Sequence, residues 1–116
     1  MNDLVKKITN TLYNKKASDI VALDVQKMTV ITDYMVIASG RSSLQVKNLA
    51  DDLIDRLSED GINPLRKDGE SEARWIVLDY GHVLVHIFHY EDREFYRLDK
   101  LWEQEDNIIP LSFSED

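Results

Sequence analysis

The sequence contains no cysteine. Disulfide frameworks, thiolate nucleophiles and cysteine-ligated zinc or iron–sulfur centres are therefore excluded. Glycine and proline are scarce, at four and two of 116 residues, which excludes collagen and Gly/Pro-rich low-complexity chains. No apolar run approaches the ~18 residues that suggest a membrane span. The start, Met1-Asn2-Asp3-Leu4-Val5-Lys6-Lys7, lacks the basic-then-apolar order of a signal peptide, so a cytoplasmic protein without membrane contact is expected. Positive charge is also short: 14 Lys and Arg stand against 22 Asp and Glu, a net charge of −8. Affinity for nucleic acid comes largely from basic side chains at phosphates. Direct sequence-specific nucleic-acid binding is thus disfavoured, and a basic protein is the electrostatically natural partner.

What is present fits one folded domain. Apolar residues make up 43% and charged residues 31%, and a chain of this length hides roughly two thirds of its unfolded surface on folding. Asn2 or Asp3 caps a first helix whose Leu4, Val5, Ile8 and Leu12 fall on one stripe, with Lys15 and Lys16 at its negative end. Residues 20–25 and 34–39 read as strands, the second apolar enough to be central. Ser42 or Ser43 caps a second helix carrying Val46, Leu49, Ala50, Leu53, Ile54 and Leu57, and Gly61 stops it. A short strand at Leu65-Arg66 precedes a turn at residues 67–70.

The clearest feature is residues 75–88, two strand-forming runs around a Gly81-His82 loop with glycine first, as a type II′ turn requires. That register puts Ile76, Leu78, Tyr80, Val83, Val85 and Ile87 on one face and Trp75, Val77, Asp79, Leu84, His86 and Phe88 on the other. A third helix is expected over Glu91–Leu101, with Phe95, Leu98, Leu101 and Trp102 as its stripe and Phe95 and Trp102 in the core. Residues 1–103 form the domain, and residues 104–116 a loose acidic tail. The fold class is α/β (α+β): a mixed sheet of about five strands with helices mainly on one face.

Few residues carry recognisable chemistry. His82 and His86 are four strand residues apart, about 13 Å, and His89 points to the other face, so the three do not share a metal. His86 and Asp79 share a face, but no nucleophile accompanies them, and a hydrogen-bonded surface pair is the simpler reading. Asp51-Asp52-Leu53-Ile54-Asp55 has the spacing of a magnesium–diphosphate motif without the second acidic set that such sites need. Gly40-Arg41-Ser42-Ser43 precedes a helix and resembles the Gly-Ser loop of nucleotidyltransferases, but no Asp-x-Asp pair follows it. No metal and no cofactor is expected. The aromatic residues concentrate between Trp75 and Trp102, and Trp75, Asp79, His86 and Phe88 share the sheet face that the helices leave free. Aromatic side chains of this kind favour interface centres. The contact centre is expected at Trp75, Val77, Asp79 and His86, with Arg66, Asp68 and Tyr80 near its edge.

Thr32-Asp33-Tyr34-Met35-Val36-Ile37-Ala38-Ser39-Gly40 with Ser43 and Gln45, Trp75 to Gly81, Val85-His86-Ile87-Phe88, and Arg93-Glu94-Phe95-Tyr96 with Leu98, Leu101 and Trp102 resemble the Iojap family, over about residues 3–103. The resemblance implies a nucleotidyltransferase-like core without enzymatic activity. It implies binding to the large ribosomal subunit through its fourteenth ribosomal protein, blocking the small subunit and lowering translation when nutrients are scarce, and a homodimer when free. The chain departs from the family's pattern at His82, where an aspartate is usual, and at Glu103-Gln104-Glu105, where Asp-Ala often follows. The alternatives are a degenerate nucleotidyltransferase-like protein holding a nucleotide at residues 40–43, and a small assembly adaptor that never touches ribosomes.

Overall fold

Apolar residues repeating every three to four positions make the helices, and β-branched runs make the strands. A computed structural model describes residues 2–114; Met1 and the last two residues of the expected tail lie outside the described residues. Helix α1 (Asp3–Asn14) is capped by Asn2, whose side chain accepts from the N–H groups of Leu4 at 2.8 Å and Val5 at 3.2 Å. Strands β1 (Ser18–Asp24) and β2 (Tyr34–Gly40) follow, then α2 (Ser43–Ser58), capped by Ser42. Strands β3 (Arg66–Asp68), β4 (Trp75–Asp79) and β5 (Val83–His89) lead into α3 (Tyr90–Tyr96) and α4 (Leu98–Trp102).

The five strands form one sheet in the order β1-β2-β5-β4-β3. Only β2 and β5 run parallel, because α2 carries the chain across the sheet between them. β5, rather than β2, is therefore the central strand. The β4–β5 hairpin has the expected register, Trp75 opposite Phe88, Val77 opposite His86 and Asp79 opposite Leu84. Gly81 supplies its turn with φ +83°, and the Tyr80 N–H closes it on the Val83 carbonyl at 2.9 Å. The face bearing Ile76, Leu78, Val85 and Ile87 packs under α1 and α2 through Val5, Ile8, Leu12, Leu49 and Leu53, all buried.

Three sequence expectations are corrected here. The single third helix is broken at Arg97, whose left-handed φ of 49° ends α3 and turns α4 back onto the sheet. In consequence Leu98 and Trp102 pack on Phe88, Met35 and Ile37, while Phe95 leaves the expected core and is 79% exposed. The turn after Leu65-Arg66 begins later than expected, since Lys67 and Asp68 pair with β4. The segment after Trp102, expected to be loose, runs past β1 at residues 107–109 and onto α1 at Phe113 and Ser114 instead. Ile108 bridges Leu23, the Ile109 N–H donates to Ala22, and the Phe113 ring stacks on Tyr13 at 4.4 Å.

Candidate functional site

The second sheet face is built around Trp75 at the start of β4. Its indole Nε1–H donates to Nδ1 of His86 at 3.0 Å, so the remaining proton of the neutral imidazole sits on Nε2. His86 is buried, and burial pushes its pKa down to about 4. The imidazole is thus an uncharged acceptor that sets the angle of the indole. Trp75 also stacks on Phe88, with ring centroids 4.7 Å apart, and tilts against Tyr96 at 5.1 Å. The indole is half-buried, held on one side and open on the other.

Beside it, α3 and α4 carry apolar side chains that the fold leaves uncovered. Phe95 and Leu101 are 79% and 73% exposed, and Tyr96 stands half-exposed between Phe95 and Trp75, its ring edge-on to Phe95 at 5.0 Å. Sequence reasoning missed these residues because a straight helix would have turned Phe95 and Leu101 inward with Leu98. A residue at φ +49° that is not glycine leaves no clear composition signal.

The expected site residues divide. Trp75, Val77 and Asp79 share the half-open face. Asp79 has a local structural role as well, accepting from the Gly81 N–H at 2.8 Å in the hairpin turn. Asp79 and His86 form no pair, since the imidazole is engaged by Trp75. Arg66 and Asp68 lie exposed on edge strand β3, their charged groups 3.7 Å apart. Tyr80 falls on the other face, buried among residues under the helices, and burial pushes its hydroxyl up to about 12. Tyr80 and His86, expected at the exposed site, are therefore both buried, Tyr80 under the helices and His86 beside Trp75.

The other motifs resolve into structural roles. The Arg41 N–H donates to Gln45 Oε1 at 2.6 Å, and the Gln45 N–H donates to Ser42 Oγ at 3.1 Å, so the Gly-Ser turn is a self-capped helix start. His82 pairs with Asp33 across 2.9 Å on the surface. Among the described residues no group of three His, Asp or Glu is placed to hold a metal ion, and no helix is long and apolar enough to cross a membrane.

Comparison with known proteins gives one consistent result. The pattern of a family described as "Ribosomal silencing factor during starvation" matches residues 1–116. A ribosomal silencing factor of Bacillus subtilis is 42% identical over 89 residues, 77% of this chain and 75% of its own. One from Haemophilus influenzae is 42% identical over 99 residues, 85% of this chain and 97% of its own. A crystal structure of a Bacillus halodurans protein superposes with a TM-score of 0.82 at 35% identity, covering 94% of this chain and 98% of the other.

Proposed function

Since the chain belongs to the family of ribosomal silencing factors, we propose that it binds the large ribosomal subunit through the fourteenth ribosomal protein, at the face where the small subunit docks. The mechanism is steric and non-catalytic. The bound domain, about 34 Å across, occupies the space of the joining subunit and lowers translation under nutrient limitation in the cytoplasm. The observation that carries the reading is the half-open Trp75, oriented by His86 and continued by exposed Phe95, Tyr96 and Leu101. An apolar centre with an oriented aromatic anchor is the composition of a protein-docking face. Val77 and Asp79 extend it along β4, and Arg66 and Asp68 form its charged rim on β3. The net charge of −8 suits a basic partner.

Free in solution, the same exposed apolar residues favour pairing with a second copy. Sedimentation velocity over a concentration series reads this directly, and a monomer at all concentrations would remove the dimer. The main reading is tested by sedimenting the purified chain with isolated large subunits, small subunits and joined ribosomes. Co-migration with large subunits alone, and fewer joined ribosomes re-forming, is expected. Absence of co-migration at both low and moderate salt overturns it.

A further inference from the structure

Among the described residues, the chain's cations divide into those with ion-pair partners and those without. Lys7, Arg56, Arg66, Lys67, Arg74, Arg93 and Arg97 are paired with carboxylates. Lys6, Lys15, Lys16, Lys27, Arg41, Lys47 and Lys100 form no salt bridge, and of these Lys15, Lys16 and Arg41 stand together, all exposed, although 25 positions separate Lys16 from Arg41. One side chain brings them together. Gln45 accepts from the Arg41 N–H at 2.6 Å and donates through Nε2 to the Lys16 carbonyl at 3.2 Å. The three cations line one end of a groove of about 920 Å³ between α1 and α2.

Lys16 is also an unfavourable choice for its backbone. The Ala17 N–H donates to Leu12 and the Lys16 N–H to Tyr13, the pattern of a helix end closed by a left-handed residue. Lys16 takes that position at φ 73°, where glycine is the residue without steric cost. A long cation held there at the expense of stability is a functional signal.

The register places this cluster. Ser18 pairs with Ser39, Gly40 with His89, and Trp75 with Phe88. The start of β1, the ends of β2 and β5 and the start of β4 thus lie along one end of the sheet, three strand spacings or roughly 14 Å across. The cations stand at the same end of the sheet as Trp75 and as α3, whose first residue, Tyr90, is exposed. Asp52, Asp55, Glu59 and Arg56, the last paired with Asp60, also line the groove; the three carboxylates disfavour a polyanion inside it, which leaves the rim.

We propose that Lys15, Lys16 and Arg41 form a rim that contacts the phosphate backbone of ribosomal RNA beside the protein-docking face. The inference rests on the docking reading above, which sets the chain on a surface made of both protein and RNA. The contact is with phosphates and is indifferent to sequence.

The experiment titrates fluorescently labelled chain with isolated large subunits over a range of salt concentrations. Each phosphate contact contributes ~0.7 to 0.9 to the slope of log affinity against log salt. Replacing Lys15, Lys16 and Arg41 with alanine should lower that slope by about 2 to 3 units. Lys16→Gly alone should lower it by about one unit while raising the melting temperature, a combination that a merely structural lysine does not produce. Hydroxyl-radical cleavage of the ribosomal RNA should show backbone protection by the native chain that the triple variant loses. An unchanged slope in the triple variant overturns the rim and leaves the docking face standing. A lower slope with an unchanged cleavage pattern overturns RNA in favour of an acidic protein surface. Loss of binding in Trp75→Ala supports the docking face independently, and no binding by the native chain removes both readings.

Discussion

The Trp75 indole N–H and the His86 imidazole Nδ1, 3.0 Å apart across neighbouring strands, form a hydrogen bond in which each ring determines the other's state. Accepting at Nδ1 holds the proton of the neutral imidazole on Nε2. Donation in turn locks the indole at the centre of the candidate docking face. Replacing Trp75 with phenylalanine keeps an aromatic ring but leaves the buried Nδ1 without its donor. A loss of about 1 to 3 kcal/mol is expected in urea unfolding, with affinity for large subunits falling as well. An unchanged unfolding midpoint would show that the bond contributes nothing to the fold.

The buried imidazole makes stability depend on pH. The folded-state value of about 4 lies below the ordinary 6.5. Between these values the unfolded chain binds a proton that the folded chain refuses, so stability falls as pH drops from 6.5 towards 4 and levels off below. The full effect of this group is roughly 3 kcal/mol. Guanidinium melts of the native chain and His86→Gln at pH 7 and pH 4.5 read it by difference. Equal pH dependence in the two proteins would remove His86 from the account.

Phe95 and Leu101 separate an interface from a core. Both are mostly exposed, so Phe95→Ser with Leu101→Ser should shift stability by no more than about 0.5 kcal/mol per site. Binding to large subunits should nevertheless weaken on the order of thirty-fold, the loss typical of an interface hot spot. A large drop in melting temperature would place these side chains in the core, as a straight helix would have had them.

Gly69 carries the turn that starts β4. Its φ is +90°, and a Cβ there would meet the Trp75 carbonyl backbone, which cannot yield without moving the strand. Gly69→Ala is expected to cost about 3 kcal/mol or more. Gly61, at φ +75° with open space around it, is the control. Its alanine variant should cost only ~1 to 2 kcal/mol. Thermal melts of the two variants compare the clash with the conformational cost alone.

Asn107 fastens the last segment. Its Oδ1 accepts from the Gln104 N–H at 2.6 Å, its Nδ2 donates to the Trp102 carbonyl at 2.8 Å, and its carbonyl accepts from the Asp24 N–H at 2.9 Å. Asn107→Ala should destabilise by roughly 2 kcal/mol and speed amide exchange along β1. Unchanged exchange at Leu23 and Asp24 would mean that β1 keeps its edge protected without the segment.

Local rules made much of the fold legible. Asn2 and Ser42 cap the first two helices because their side chains satisfy amides that begin a helix anywhere. A two-residue loop with glycine first ties strand register to the turn, so the pairing of Trp75 with Phe88 could be read from spacing. The candidate docking face was legible only in part. Alternation assigns Trp75, Val77 and Asp79 to the half-open side, but it assigns Tyr80 to the opposite side, and proximity along the chain was no guide there.

The sequence by itself determined most of the elements, the hairpin register, the excess of acid and the family, all of which depend on neighbours in the chain or on composition. Tertiary structure decided the rest. Arg97 bends α3 away from α4 and exposes Phe95, His86 is buried and becomes the indole's acceptor, and the segment after Trp102 packs on β1 and α1 instead of hanging free. Gln45 likewise brings Arg41 to Lys15 and Lys16. Apart from the backbone turn at Arg97, the deciding contact joins segments whose distance in sequence carries no information about their distance in space, and only the packed chain supplies it.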